Sequence, residues 1–374
     1  MINVVRNKNG WTNSFQLQVS YDIEFVTDIF NVKNTVLIEN LIDNKRFIVI
    51  DDNVYAHYNK EIHNYFNHHQ VIATLIIIKG QENNKRFSVI QGLIDELISY
   101  GLKRREPIIA IGGGVVLDIV GMVANLYRRG VPYIRVPTTL LGIVDASVGV
   151  KNGVDYDSKE FGCLKNRIGS FHAPSRVFID KNFIKTQDNR NIINGCGEIL
   201  KLALVRSLQL FELLEKYGKE IIKNKFQCSI GHLVIELSIQ IMLEELGPNL
   251  WEHKLERCVD FGHTFSKVIE MIPNIDIFHG EAVNIDGFIC VNISKNRGLI
   301  NQPDYERICN VMNILGLPLI IPEITLDVLA KGLVEATEHR HGYQRIPLIT
   351  GIGSYTIVND IRKEELNFMA QKKM

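Results

Sequence analysis

Three consecutive glycines follow an apolar run at residues 108–111 and precede a helical pattern over residues 115–126. Glycine lets the backbone approach a ligand closely, and the unpaired N–H groups of a helix N-terminus favour an anion. This order predicts a pyrophosphate site, although GGGxxxD is not the GxGxxG fingerprint and a strand-to-helix turn without a ligand shows the same pattern. The candidate residues are Gly112, Gly113, Gly114 and, in the first turn of the helix, Asp118.

A second apolar run, residues 133–136, leads to Thr138 and Thr139, whose hydroxyls would lie just past the end of a strand. Asp145 and Lys151 follow, and mostly small residues separate them. Opposite charges in so short a segment suggest a site packed closely against a ligand. A surface ion pair is the ordinary alternative.

One carboxylate and two imidazoles, Glu198, His263 and His279, are candidate metal ligands. Each is expected near the start of a helix, and Lys201 falls on the same helix face as Glu198. Two imidazoles and one carboxylate suit Zn²⁺ or a similar divalent ion, and they leave coordination positions open for a substrate. The three residues have no local ligand spacing, so helix capping or packed histidines would also explain them.

Strand and helix patterns alternate in the first half of the chain. Residues 46–50 and 71–78 have the apolar composition of buried strands, and residues 55–66 and 84–102 have helical patterns. This order predicts a parallel sheet with right-handed crossovers, whose ligands bind at the carboxyl ends of the strands. The near alternation of residues 14–29 favours an edge hairpin or strand.

Polar side chains follow the first two predicted strands. Asp51 and Asn53 come after the first and would equally serve as turn or capping residues, and Glu82 and Lys85 come after the second. Residues 160–180 form a polar segment that carries Lys165, Asn166, Arg167 and His172 before a strand pattern at residues 176–179. A polar loop in a compact domain is typical of a functional or a disordered segment.

Helical patterns dominate the second half, at residues 191–214, 232–246, 255–271 and 279–295, with few strands before residues 353–358. We therefore expect an α/β cofactor domain over residues 1–180 and a mostly α-helical domain over residues 181–374.

The composition excludes several classes of protein. The 374 residues carry 42 basic and 42 acidic side chains, so no broad electrostatic field recruits nucleic acid or an anionic membrane. Six scattered cysteines without a CxxC pair indicate free thiols in a reducing compartment. No apolar signal region or membrane-length apolar run is present, which predicts a cytoplasmic protein.

Four motifs resemble those of the sugar phosphate cyclases, whose best known member is 3-dehydroquinate synthase. They are GGGVVLD at residues 112–118, YRRG at 127–130, PTTLLGIVDASVGVK at 137–151 and KNRIGSFHAP at 165–174. The resemblance extends from about residue 51 to about residue 353. It implies a Rossmann-like parallel-sheet NAD domain followed by a mostly helical domain that binds metal and substrate, with Zn²⁺ or Co²⁺ held by Glu198, His263 and His279.

The resemblance also implies a role for each matching residue. Arg129 would reach the phosphate in the neighbouring subunit's site, so a homodimer with shared sites is expected. The implied NAD contacts are Asp51, Asn53, Glu82, Lys85, Gly112, Gly113, Gly114, Asp118, Thr138, Thr139, Asp145, Lys151, Lys165 and Thr186. The implied catalytic residues are Lys151, Asp145, Lys201, Lys267 and His339, and the implied substrate contacts are Arg129, Asn166, Lys165, Leu246, Asp260 and Arg340.

The chemistry of the family consists of transient oxidation of a sugar phosphate by NAD, β-elimination of phosphate, return of the hydride, ring opening and intramolecular aldol closure. NAD is thereby recycled, and the net reaction is that of a carbon–oxygen lyase. The metal ion would lower the pKa of a substrate hydroxyl.

Dehydroquinate synthases bind a substrate carboxylate through a Lys, an Arg and an Asn near the FGH motif. In this sequence the Asn position is Asp260, the Arg position falls at Glu256, the Lys position lies at or near Met242, and Lys267 replaces a second histidine. Acidic side chains would repel a carboxylate, whereas a carboxylate accepts hydrogen bonds from substrate hydroxyls.

These charges predict a substrate without that carboxylate. Four further segments carry a resemblance: MLEELGPNLWE, DFGHTFSK, HGEAVNIDG and HRHGYQRIPL. They resemble the sedoheptulose 7-phosphate cyclases and, within these, the 2-epi-5-epi-valiolone synthases, whose distinguishing Leu, Asp and His match Leu246, Asp260 and His339. The alternatives are another product from the same substrate (2-epi-valiolone or desmethyl-4-deoxygadusol), a 3-dehydroquinate synthase, an NAD- and metal-dependent polyol dehydrogenase, or a silent sugar-phosphate binding protein.

Overall fold

A parallel sheet, six-stranded in the described part of the chain, organises the N-terminal half. The computed structural model describes residues 3–160, 162–338 and 340–368. An antiparallel hairpin, β1 (Asn3–Asn7) and β2 (Gly10–Ser14), precedes the sheet. The elements that follow are β3 (Asp22–Phe25), β4 (Lys45–Asp51), α1 (Asp52–His68), β5 (Ile72–Ile78), α2 (Phe87–Tyr100), β6 (Ile108–Gly112), α3 (Gly114–Leu126), β7 (Tyr133–Pro137), the antiparallel pair β8 (Lys151–Ser158) and β9 (Gly162–Phe171), and β10 (Arg176–Ile179).

The strand order β3-β10-β7-β6-β4-β5 confirms the predicted parallel sheet. From β4 the chain crosses outward through α1 to β5, and through α2 it returns to the other side of β4 to form β6. The direction of winding therefore reverses between β4 and β6. A crevice opens at such a reversal beyond the carboxyl ends of the strands, and Asp51 and Gly112 end the two strands that flank it.

Both faces of the sheet are covered, which explains why its central strands are almost uniformly apolar. On one face Phe47, Ala110 and their neighbours pack against α2 and α3. On the other face Ile48, Ile50 and Ile111 pack against α1. The glycine turn after β6 is thus held between two packed layers.

The segment predicted as a polar loop at residues 160–180 is instead largely a β-strand. Most of it belongs to β9, which pairs with β8 in an antiparallel hairpin, and the predicted strand at its end is β10. The prediction failed because polar residues lie on both faces of β9. Such a strand gives no apolar pattern with a period of two. This hairpin carries Lys165 and Asn166.

The second half is mostly helical, as predicted. Its elements are α4 (Asn189–Arg206), α5 (Leu208–Lys223), α6 (Ser229–Leu246), α7 (Ser266–Ile269), α8 (His279–Asn296), α9 (Gln302–Ile314), α10 (Leu326–Glu338), β11 (Ile346–Gly351) and β12 (Ser354–Val358). Helix α8 is buried along almost its whole length, and it packs against α4 in a large apolar core. The division into domains at residue 181 stays a prediction.

Two predicted helices were wrong in extent. The pattern over residues 191–214 is divided at Ser207, whose hydroxyl accepts a hydrogen bond from the N–H of Leu210 and begins α5. Residues 255–271 contain only a short 3₁₀ turn and α7, because Gly262 has a positive φ of 75° and the next N–H groups bond to a side chain of another helix.

All six cysteines are free thiols, as expected. Among the described residues, the helices are too short or too polar to cross a lipid bilayer.

Candidate active site

Glu198, His263 and His279 come together, as the sequence suggested. One ligand atom from each lies within 4.8 Å of the others. The Oε1 atom of Glu198 is 3.3 Å from Nε2 of His279 and 3.6 Å from Nε2 of His263. His279 is the first residue of α8 and His263 precedes α7, but Glu198 lies in the middle of α4 rather than near its start.

The second nitrogen of each imidazole has a partner that fixes the orientation of its ring. Nδ1 of His263 donates to the carbonyl of Phe261 at 3.1 Å, and Nδ1 of His279 donates to the carboxylate of Glu270 at 3.0 Å. Both Nε2 atoms are thereby directed towards Glu198. Metal-binding histidines in proteins are held in this way.

The electrostatics of the cluster also fit a cation. Glu198 is fully buried and pairs with Lys201, but neither of its oxygens accepts a hydrogen bond of good geometry from a described residue. Burial lowers the pKa of His279, but the carboxylates of Glu270 and Glu198 outweigh it and raise that pKa to about 10. Burial and Lys201 lower the pKa of His263 to about 3 and keep its ring neutral. The buried carboxylate of Glu198 thus favours a positive charge beside it, which is the environment that a divalent ion would need.

Asp145 lies near the same cluster. It belongs to a single π-helical turn, Gly142–Ala146, a distortion that often occurs at functional sites. Burial, followed by the charge of Glu198, raises the pKa of its carboxyl. The structure therefore brings Asp145 and Lys201 to the metal cluster, although they are distant from its histidines in sequence.

The glycine turn has little room for side chains. A Cβ atom on Gly112 would lie 2.7 Å from Cβ of Val116, and one on Gly113 would lie 3.1 Å from Cγ2 of Thr139. Thr138 is buried, and its hydroxyl has no hydrogen-bond partner among the described residues. The turn is thus closely packed with one buried hydroxyl unpaired among the described residues, and Gly114 begins α3 there.

Asp118 lies in the second turn of α3, not in the first as predicted. Its carboxylate pairs with the ammonium of Lys85 at 2.6 Å, and the same ammonium donates to the amide oxygen of Asn166 at 2.8 Å. Lys85 is buried, so these partners hold it in place. The segment between β5 and α2, helix α3 and the β8–β9 hairpin therefore meet at this point.

Other residues predicted at the cofactor site have simpler surroundings. Asp51 caps α1 by accepting from the N–H of Asn53 at 2.9 Å, which is the capping role that its composition allowed. Asn53 and Thr186 are exposed, and the hydroxyl of Thr186 donates to the carbonyl of Phe183. Their contacts with a cofactor stay predictions.

Lys165 connects the two halves of the cleft. Its ammonium lies 3.0 Å from Oε2 of Glu270 and 3.5 Å from Oε1 of Glu82. Glu270 in turn bonds to His279, so an uninterrupted series of polar contacts joins the crevice to the metal cluster. The sequence analysis missed Glu270. The only feature of the sequence that could have indicated it is its position as an acidic residue between the two histidines.

Asp260 is buried, and its surroundings differ from those expected. Arg257 pairs with it, and Nη2 of Arg340 lies 3.3 Å from Oδ2. Burial raises the pKa of Asp260, but Arg257 and Arg340 outweigh it and keep the group ionised. The argument from repulsion was therefore incomplete, because two guanidinium groups balance this carboxylate.

The assignment of Glu256 to the family's arginine position stays a prediction, but a neighbouring arginine reaches the site. Glu256 is exposed, whereas the next residue, Arg257, points to Asp260 and also pairs with Glu252. Glu252 lies 2.9 Å from the ammonium of Lys151, so the loop after α6 contacts that exposed lysine. Met242 is a core residue. Adjacent residues on a loop face opposite directions, and a motif alignment alone could not distinguish them.

Three of the remaining predicted residues lie in the described part of the chain, and the fourth does not. Leu246 ends α6, and a Cβ atom on Gly149 would be 3.2 Å from its Cδ1. Lys267 is exposed on α7. Arg129 is exposed, with a positive φ of 66°, in the turn that follows α3. His339 lies outside the described residues.

Two models of a known protein family match this chain. The 3-dehydroquinate synthase N-terminal model matches residues 75–194, and the 3-dehydroquinate synthase C-terminal model matches residues 195–338. The chain belongs to the 3-dehydroquinate synthase family. This confirms the resemblance to sugar phosphate cyclases that the motifs indicated.

Within this family the chain is similar to 2-epi-5-epi-valiolone synthases. It is 42% identical to that of Streptomyces albus over 371 residues, covering 96% of this chain and 89% of the relative. The solved 2-epi-5-epi-valiolone synthase of Streptomyces hygroscopicus subsp. jinggangensis 5008, with NAD⁺ and Zn²⁺ bound, superposes with a TM-score of 0.91 at 39% identity, over 97% of this chain and 99% of that one. The 3-dehydroquinate synthase of Thermoanaerobacter pseudethanolicus is 31% identical over 93% of this chain and 96% of its own length.

Proposed function

We propose that this protein converts sedoheptulose 7-phosphate into 2-epi-5-epi-valiolone with release of phosphate, using NAD and Zn²⁺ or Co²⁺. The likeness to 2-epi-5-epi-valiolone synthases over nearly the whole chain carries this proposal. The cleft supports it, because it places a glycine turn for a dinucleotide and a Glu-His-His cluster for a metal ion on either side of Lys165.

Glu198, His263 and His279 would hold the metal ion, and the glycine turn with Thr138 would receive the cofactor's pyrophosphate. When bound, the ion would lower the pKa of a substrate hydroxyl, and NAD would take up and return a hydride.

The protein's own residues would position the sugar. Lys151 and Lys267 are exposed ammonium groups at the cleft and would attract its phosphate. Asp260 would accept hydrogen bonds from substrate hydroxyls while Arg257 and Arg340 hold its carboxylate in place. Asp145 and Lys201, beside Glu198, would lie closest to the reacting carbon atoms.

We further propose a cytoplasmic homodimer in which Arg129 serves the neighbouring subunit's site. Arg128 and Arg129 are exposed on a turn with three successive positive φ values, 52° for Arg128, 66° for Arg129 and 108° for Gly130. Backbone strain of this kind often occurs at functional sites, and the exposed guanidinium of Arg129 is accessible to a second subunit.

The direct test is incubation of the purified protein with NAD, Zn²⁺ and sedoheptulose 7-phosphate, followed by identification of the product and measurement of released phosphate. Absorbance at about 340 nm should not accumulate, because NAD is recycled. Lasting NADH production would favour the polyol dehydrogenase. Faster turnover of the carboxylated heptulosonate phosphate in a parallel assay would favour the 3-dehydroquinate synthase.

A further inference from the structure

Glu270 lies between two sites that the sequence treats as separate. Its Oε1 accepts from Nδ1 of His279, a metal-ligand candidate, and its Oε2 accepts from the ammonium of Lys165. Both donor–acceptor distances are 3.0 Å, and the Glu270 side chain is only 10% exposed. Both oxygens are therefore engaged, each by a group that serves a different part of the cleft.

The partners of Glu270 come from elements that are otherwise far apart. Lys165 is on β9, and the same hairpin also contacts Lys85, since the N–H of Asp155 donates to the Lys85 carbonyl at 2.8 Å. Glu270 directly follows α7, and His279 begins α8. A change in the position of the hairpin must therefore alter the contact that fixes the ring of His279.

We propose that Glu270 is a positioning residue that couples metal binding to cofactor binding, by sharing one carboxylate between His279 and Lys165. This inference rests on the proposed use of a metal ion and NAD. A carboxylate behind a ligating histidine fixes its tautomer and increases the basicity of its other nitrogen.

The direction of the coupling follows from the competition for Lys165. Its side chain is 31% exposed at the edge of the crevice, where the anionic phosphates of NAD would attract its ammonium. When NAD draws the ammonium away, the charge of Glu270 acts on His279 alone and strengthens its bond to a metal ion. NAD should therefore tighten Zn²⁺ binding, and Zn²⁺ should tighten NAD binding by the same factor.

The first experiment measures Zn²⁺ affinity by competition with a chelating dye. Glu270→Gln should weaken binding by about 10-fold to 100-fold, the usual effect of removing such a partner. Glu281→Gln is the matched control, because Glu281 also lies at the start of α8 but bonds to the N–H of Phe278 and to Arg190. Its affinity should stay close to that of the wild type. Wild-type affinity in Glu270→Gln, or equal losses in both variants, would overturn the assignment.

The second experiment repeats the zinc titration with saturating NAD in the wild type, Lys165→Met, Glu270→Gln and the double variant. We expect NAD to tighten Zn²⁺ binding only in the wild type, and the two single effects to be non-additive in the double variant. An NAD effect that persists in both single variants, or its absence from the wild type, would refute the coupling. Neither titration requires turnover, so failure to convert sedoheptulose 7-phosphate would count against the proposed function alone.

Discussion

Asp286 is the buried group whose removal should most clearly disturb the loop that carries His263. It is fully buried in α8, and its Oδ2 accepts hydrogen bonds from the backbone N–H groups of Thr264, Phe265 and Ser266 at 2.7, 2.5 and 2.9 Å. These are the N–H groups that a continuous helix would have used. The carboxylate thus fixes the course of the chain directly after His263.

The expected loss in the free energy of unfolding follows from the number of N–H donors that lose their acceptor. Asp286→Ala leaves three buried N–H groups unpaired at about 1–3 kcal/mol each, so we expect a loss of at least about 3 kcal/mol in the free energy of unfolding. Asp286→Asn keeps an acceptor oxygen and loses only its charge, which should cost about 1–2 kcal/mol. Zn²⁺ affinity should also fall more in Asp286→Ala than in Asp286→Asn.

Urea unfolding at pH 8 is the appropriate assay. Burial raises the pKa of Asp286 to about 6, so the carboxylate is ionised at that pH. Ser294→Ala is the matched control, because its buried hydroxyl in the same helix has no hydrogen-bond partner among the described residues. The reasoning would be refuted by a loss below about 1 kcal/mol in Asp286→Ala, or by a greater loss in Asp286→Asn than in Asp286→Ala.

Four further predictions concern the cofactor, the metal, the substrate and the assembly. Gly113→Val should weaken NAD binding at least about tenfold, because its side chain would press against Thr139; unchanged affinity by calorimetry would make the turn purely structural. Chelation should abolish activity and Zn²⁺ or Co²⁺ should restore it, while His263→Ala should lose both bound metal and turnover; full activity without metal would contradict the cluster's role. Asp260→Asn should lower kcat/KM for sedoheptulose 7-phosphate by about 10-fold to 100-fold, the value of a charge-assisted hydrogen bond, and leave the Kd of NAD unchanged. Mixing the inactive variants Arg129→Ala and Lys151→Ala should restore some turnover if sites are shared, and no recovery despite confirmed subunit exchange would argue against sharing.

Much of the fold could be predicted from the sequence, because neighbours in the chain determine it. The strand before Asp51, the helix after it and the glycine turn at Gly112 follow from apolar runs, capping chemistry and the absence of a side chain. The approach of Lys201 to Glu198 is also local, because residues three apart share one face of a helix. The motifs indicated the family for the same reason, since they are short and continuous.

The composition of the site beyond these motifs was decided by tertiary packing. The sequence offered no means to choose Arg257 over Glu256 as the partner of Asp260, because that choice depends on the direction of a loop. The helix predicted over residues 255–271 does not form, because a carboxylate from α8 takes up N–H groups that the helix needed.

Glu270 shows the same limit at the metal site. Its position in the chain identifies an acidic residue between two histidines, and only the fold places its two oxygens against His279 and Lys165. The sequence thus determined most of the elements and the set of ligand candidates. Tertiary structure decided how those ligands are oriented and paired, because partners distant in the chain meet only when the hairpin and the helices pack.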